Sequence, residues 1–250
     1  MKNNFILLLA FVFILFNCKK KETTSQEPSP TQGNTGSSIV PTSFDGFFQS
    51  TGYAVWTGST STIGSFYNVN VYIMSSPSAT INSFLGINSG TVNLNSTKLK
   101  YASGRYYDTT YALNLTSQKN FQLQSNGSIP SFTYNNIDSF PNFYFNYNNL
   151  INDTLTKASN YTIPLNGFSY SDEVKVSLQD PNNFTNFVSR IVSKGTTQII
   201  LNPSELSVFS TGSNITLSVE LKKYNYQNIN GKSFRFESNT YSSFSVHVIQ

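Results

Sequence analysis

Apolar and polar residues alternate along most of this chain with a period of two, and that period limits what it can fold into. Tyr67, Val69, Val71 and Ile73 are separated by Asn68, Asn70 and Tyr72. Successive side chains of a strand point to opposite faces, so this pattern describes a strand with one buried face; a helix would need apolar residues every three to four positions. The alternation recurs at 48–56, 91–95, 98–102, 111–116, 121–124 and 129–134. Turns rich in Gly, Asn and Ser separate these runs, as at Asn88-Ser89-Gly90 and Ser125-Asn126-Gly127. The stretch 98–107 also reads as one longer hairpin. Many short strands at roughly ten-residue spacing predict an all-β fold, an antiparallel sandwich or barrel.

A second group of strands begins near Tyr161. Val174, Val176 and Leu178 alternate and stop at Asp180-Pro181-Asn182-Asn183, a turn signal. Further strands are expected at 187–192, 198–201, 214–222, 234–237 and 244–249. One short helix is expected after Asn202, which caps it, with Pro203 first and Glu205 three residues after the cap. Thr211-Gly212 should end it. Leu206, Gly212 and Ile215 then stand as a Leu-rich corner and a Gly before a long strand. In this the region resembles an immunoglobulin-like sandwich of the fibronectin type III or polycystic-kidney-disease type, over about 90 residues. The expected organisation is two β-sandwich domains in tandem, 42–152 and 160–250, the second immunoglobulin-like. Between the two groups, Phe143, Phe145 and Tyr147 would share one face of a strand.

The N-terminus has a different character. Lys2 precedes an uninterrupted apolar run at 5–16, and Leu15-Phe16-Asn17-Cys18 closes it. Twelve residues fall short of the about 20 needed to span a bilayer as a helix. A short apolar run after a basic residue is the signal-peptide pattern, so 1–17 are set aside from the fold. With Leu three residues before the only cysteine, the segment resembles the lipobox of bacterial lipoproteins. The resemblance implies that the Cys18 thiol is lipid-modified, that the preceding peptide is removed, and that the protein is held to a membrane by the anchor. Lys19, Lys20 and Lys21 would lie at the headgroups, each adding about 1 kcal/mol of attraction to an anionic leaflet. A Lys rather than an Asp after the Cys points to the outer membrane, periplasmic or surface-facing. Residues 22–41 are Thr, Ser, Gln, Pro, Gly and Asn with almost nothing apolar, a composition that cannot offset its ordering entropy. They read, with Cys18, as a flexible tether spanning roughly 25 Å. The order of lipobox, tether and sandwiches is similar to that of uncharacterised envelope lipoproteins of Bacteroidota.

The remaining residues offer little for catalysis. Charged residues make up 11% of the chain, against about 25% in ordinary soluble proteins. From residue 41 onward there are 12 Lys and Arg against 10 Asp and Glu, scattered rather than clustered. Nucleic-acid binding needs a clustered basic face, so no nucleic-acid partner is expected. His247 is the only histidine, and its strand neighbours Val246 and Val248 place it on the opposite, solvent-facing side. No Gly-x-Ser-x-Gly elbow is present. A zinc site would need an all-carboxylate shell, so neither a metal nor a cofactor is expected. The carboxylates Asp45, Asp108, Asp138, Asp153, Asp172, Glu173, Asp180, Glu205, Glu220 and Glu237 show no spacing that singles out a catalytic pair.

The aromatics are the positive signal: 21 Phe, 15 Tyr and one Trp. Rings stack on sugars and anchor protein interfaces. Trp56, Phe143, Phe145 and Tyr147 are the candidate ligand contacts, with core packing as the alternative use. Asp108-Thr109-Thr110 and Asp153-Thr154-Leu155 look like the Asp-Ser/Thr O-glycosylation pattern of Bacteroidota, which makes Thr109 and Thr154 candidates; Thr154 is expected in an interdomain loop. The expectation for function is a non-catalytic, membrane-anchored envelope lipoprotein that binds glycan or protein. The alternatives are a structural or assembly component of an envelope complex and a carboxylate-based glycan-active enzyme.

Overall fold

The final strand organises the molecule. In the computed structural model it runs unbroken from Lys232 to Ile249, and every second residue from Phe234 to Val248 is buried. The structure describes residues 41–57, 60–109, 113, 115, 119–136, 139–143, 153–165, 168–169 and 171–250, all within a compact unit, Gln32–Gln250. Its strands, in chain order, are β1 (Phe44–Thr57), β2 (Thr60–Ser78), β3 (Gly90–Leu94), β4 (Thr97–Lys98), β5 (Lys100–Ala102) and β6 (Arg105–Tyr107). There follow β7 (Lys119–Ser125), β8 (Phe132–Asn136), β9 (Asn142–Phe143), β10 (Thr154–Thr156), β11 (Tyr161–Pro164) and β12 (Phe168–Ser169). The last are β13 (Glu173–Asp180), β14 (Asn183–Ser193), β15 (Gln198–Leu201), β16 (Asn214–Ile229) and β17 (Lys232–Ile249). The fold is all-β, and no sheet among the described residues closes into a barrel.

The largest sheet among the described residues has nine strands, in the order β14-β13-β16-β17-β1-β2-β6-β5, with β10 also on β17. Neighbours are antiparallel except that β17 runs parallel to β1 and to β10. β17 pairs with β16 along nearly its whole length on one side. On its other side β1 takes Phe234 to Tyr241, and β10 takes His247 to Ile249. Strands from both sides of the expected 153–160 boundary therefore lie in one sheet. Smaller sheets are β4-β3-β7-β8, β11-β15 and β9-β12.

The inward-facing residues of β17 explain why that sheet carries two cores. They read Phe234, Phe236, Ser238, Thr240, Ser242, Phe244, Val246, Val248: apolar ends and a hydroxyl-bearing centre. Phe234 and Phe236 join a core with Phe48, Val69, Val71 and Ile73, which β3, β7 and β8 cover with Val92, Phe121, Leu123 and Phe132. Its rings interlock, with Phe48 stacked on Phe236 at 4.6 Å and Phe132 tilted on Phe234 at 4.9 Å. Phe244, Val246 and Val248 join a second core with Val174, Val176, Leu217 and Val219, closed by Leu155, Ile163, Ile199, Leu201 and Leu206. Between them the buried hydroxyls find polar company: Thr240 donates to the Pro141 carbonyl at 2.5 Å, and Asn136 donates to Ser238 at 3.5 Å. The sequence pattern alone breaks this strand into 234–237 and 244–249. The structure joins them, because serine and threonine satisfied by hydrogen bonds can be buried mid-strand.

Several local expectations match the structure. Asn202 caps a helix at Pro203–Leu206 (α1), accepting from the Ser204 and Glu205 amides, while Glu205 accepts from the Asn202 amide at 3.0 Å. The helix stops at Leu206, earlier than Thr211-Gly212. Asp180 turns the chain by accepting from the Asn182 amide at 2.9 Å. In 98–107 the hairpin alternative fits: β5 and β6 pair around Ser103 and Gly104. That turn approaches another so closely that a Cβ on Gly86 would meet the Gly104 carbonyl.

β17 belongs to both cores, and its pairing with β16 runs from one to the other without a break. Phe236→Ala and Val246→Ala, one in each core, should each cost about 2–5 kcal/mol. Both should move a single shared urea transition, read together by tyrosine fluorescence and far-ultraviolet circular dichroism.

Candidate functional site

The outward-facing side of the nine-stranded sheet divides into a closed end and an open end. At the closed end Arg235, Glu237, Gln49 and Asn239 meet. Cross-strand register sets Gln49 opposite Glu237 and Phe47 opposite Arg235. Glu237 is 1% exposed, and its carboxylate accepts from Gln49 at 2.7 Å, from Arg235 Nε at 2.6 Å and from Asn239 at 3.3 Å. The Arg235 guanidinium, 2.5 Å from Glu237 Oε1, lies 4.7 Å from the Phe47 ring centre and 4.8 Å from that of Tyr224. Phe44, Phe47, Tyr72 and Met74 form a third small cluster around it, packed by Ile81, Leu85 and Tyr226. This end is a structural lock, in which the buried charge is paired and enclosed by rings.

Next to the lock, Lys222 bridges Glu173 at 3.1 Å and Glu220 at 3.9 Å. Three carboxylates far apart in sequence, Glu173, Glu220 and Glu237, are thus brought onto one face by three adjacent strands. Burial holds the Glu220 carboxyl above its ordinary value, against the pull of Lys222 and Lys175. Burial also pushes the Tyr224 phenol far up, helped by Glu237 and by Glu173, with which it shares a hydrogen bond.

Among the described residues, the open end has no such cover. Register places Ser189 opposite Ser177, Ser177 opposite Ser218, and Ser218 opposite Ser243, a row of serines across β14, β13, β16 and β17. Two residues along each strand on one side stand Ile191, Lys175, Glu220 and Tyr241; on the other stand Phe187, Gln179, Thr216 and Ser245. Small side chains between longer ones make a shallow trough, about 14 Å long across four strands at the usual strand spacing. Tyr241 leads to Tyr53, which is 38% exposed, with ring centres 5.7 Å apart and edge-to-face. Ser218 Oγ and the Tyr241 hydroxyl are hydrogen-bonded at 2.7 Å. The trough offers hydroxyls, an amide, one charge of each sign and three aromatic rings, a set that suits a polyhydroxylated ligand or a polar protein segment.

Trp56 sits in β1 opposite Ser61, and Phe143 in β9 opposite Phe168. The side chains of both lie outside the described residues, as do Cys18, Phe145 and Tyr147 in full. Thr109 is exposed just after β6. Thr154 lies in β10 opposite His247, not in a loop, with Oγ1 3.4 Å from Asp153 Oδ1. His247 is exposed and hydrogen-bonded to Asn214 at 2.9 Å. Tyr53 and Tyr241 carry no motif in the sequence, and only the outward-facing parity of their strands marks them. Among the described residues, no three or more His, Cys, Asp or Glu are grouped to hold a metal ion, and no helix is long and apolar enough to cross a membrane.

Glu237→Ala should cost about 3–5 kcal/mol in chemical denaturation, because it strands Arg235 inside the lock. Glu220 works in the opposite sense. Its raised value means the folded state holds the proton more tightly, so its contribution is full below the ordinary 4.5 and is lost as pH rises through the shifted value. Glu220→Gln should therefore gain stability relative to the native protein as pH rises above 4.5, seen as a growing difference in thermal midpoint.

No family model matches the chain, and no curated protein matches it significantly.

Proposed function

We propose that this chain is a non-catalytic envelope lipoprotein, anchored through Cys18 to the outer membrane, that binds glycan through the outward-facing side of its large sheet. The single observation that carries the binding reading is the open serine trough with Tyr53 and Tyr241 at its end. A flat run of hydroxyls flanked by Lys175, Glu220 and Gln179 can exchange hydrogen bonds with sugar hydroxyls, and a tyrosine ring can stack on a sugar face. The anchor rests on the lipobox pattern at Leu15 to Cys18, and the 18–41 tether would hold the sheet clear of the headgroups. Each core with its covering strands is one sandwich-like unit in this proposal, the second immunoglobulin-like, with β1 and β17 running through both. Thr109 is the better placed of the two O-glycosylation candidates, since it is exposed while Thr154 is built into a strand.

A second reading, a component of an envelope assembly, is favoured by the exposed apolar residues of β14 at the end of the large sheet.

Two experiments test the primary reading. Tyr241→Ala should weaken binding on a glycan array at least tenfold, a loss of about 1.4 kcal/mol, with the thermal midpoint nearly unchanged. Unchanged binding, or binding to no glycan by the native protein, would remove the trough from consideration. Cys18→Ala should shift the protein from the membrane to the soluble fraction; a mutant that stayed in the membrane would refute the anchor.

A further inference from the structure

The two ends of the large sheet are finished differently. At one end β5 is three residues long and begins with Lys100, with Lys98 just before it. Short length and lysine are the usual protections of a sheet edge against pairing. At the other end β14 offers eleven residues, Asn183–Ser193, with no proline and a single charge, Arg190. That charge is already neutralised by an ion pair with Glu205. Phe184, Phe187 and Ile191 are 72%, 46% and 59% exposed. Among the described residues no strand pairs with the outer side of β14, and the Ser189 carbonyl accepts only from the neighbouring Arg190 side chain, at 3.1 Å; a long edge with exposed apolar side chains is a template for another strand.

The sequence of β14 is compatible with a copy of itself. Paired antiparallel with a copy of itself about Ser189, it sets Phe187 opposite Ile191 of the second copy and Ile191 opposite its Phe187. Both residues project from the same outward-facing side of the sheet, across from Gln179 and Lys175. Aromatic residues facing β-branched ones are among the stabilising cross-strand pairs. On the opposite side Val188 meets Arg190, and Phe184 falls beside Lys194 just past the strand end. No like charges are placed directly opposite. The serine row also continues through the two-fold axis, from Ser243, Ser218, Ser177 and Ser189 into the same residues of the second copy.

We propose that two copies of this chain join edge to edge through β14, in a two-fold antiparallel register centred on Ser189. The result is one continuous sheet and one trough of double length. An isologous contact of this kind closes on itself and stops at the dimer, which is how so open an edge is kept from further growth. The inference does not rest on glycan binding: the dimer and the ligand are measured separately, and either can fail alone.

Disulfide trapping in the full-length, membrane-anchored protein tests the register. Ser189→Cys faces its own copy, where antiparallel strands hold Cα atoms about 4.5–5.5 Å apart, within the range a disulfide can bridge. Ser193→Cys faces Thr185 of the second copy and should not cross-link. Mild oxidation should give covalent dimer from Ser189→Cys at a yield at least about tenfold above that from Ser193→Cys or from the native protein. Adding Phe187→Lys and Ile191→Lys to Ser189→Cys should lower the yield about tenfold by removing both apolar pairs. An unchanged thermal midpoint in that variant would show that the fold is intact. Absence of the Ser189→Cys dimer would overturn the proposal and leave a foreign strand as the occupant. Equal yields from Ser189→Cys and Ser193→Cys would overturn the register.

Discussion

The structure depends on one strand being allowed to stay buried through its polar middle. β17 carries phenylalanines at its start, hydroxyls at its centre, and phenylalanine and valines at its end, all facing inward. Had the central residues been charged, burying them would have cost too much and the strand would have broken there. Had they been apolar, the two cores would have merged into one long slab. Hydroxyls are small enough to be covered and polar enough to need partners. They separate two apolar cores along one face of one sheet, and the Thr240 bond to Pro141 ties that middle to the segment above it.

The opposite face is divided by a different principle. At the start of β17 the Arg235–Glu237 pair is enclosed by aromatic rings and donors from β1 and β16, so its charges are spent on structure. Farther along, Ser177, Ser189, Ser218 and Ser243 face outward between longer side chains, with nothing bulky over them among the described residues. The limits of the open half are set by the lock on one side and by the β14 edge on the other. Position on the sheet thus decides which polar residues are enclosed and which stay partly exposed.

Much of the strand layout was legible in the sequence. The alternations around Tyr67 to Ile73 and Val174 to Leu178, the turn at Asp180 and the cap at Asn202 each act within a few residues, so local pattern suffices. Strand ends were less legible: β16 and β17 both run past the apolar alternation, because pairing with each other holds residues that pattern alone would release. The candidate site was scarcely legible. Ser177, Ser189, Ser218 and Ser243 are unremarkable one by one, and only register aligns them. The aromatic-rich segment around Phe143 is conspicuous because clustering in sequence is visible, whereas clustering in space is not.

The sequence by itself determined the class of fold, because a period of two leaves no other way to bury one side of each segment. It also determined the N-terminal lipobox pattern, which is written in a few contiguous residues. Tertiary structure alone decided that β1 lies parallel to β17, that Glu173, Glu220 and Glu237 share a face, and that β14 ends the sheet. Those outcomes depend on which strands become neighbours. Pairing of strands nearly two hundred residues apart is chosen by the fit of whole faces, and no local stretch of sequence carries that information.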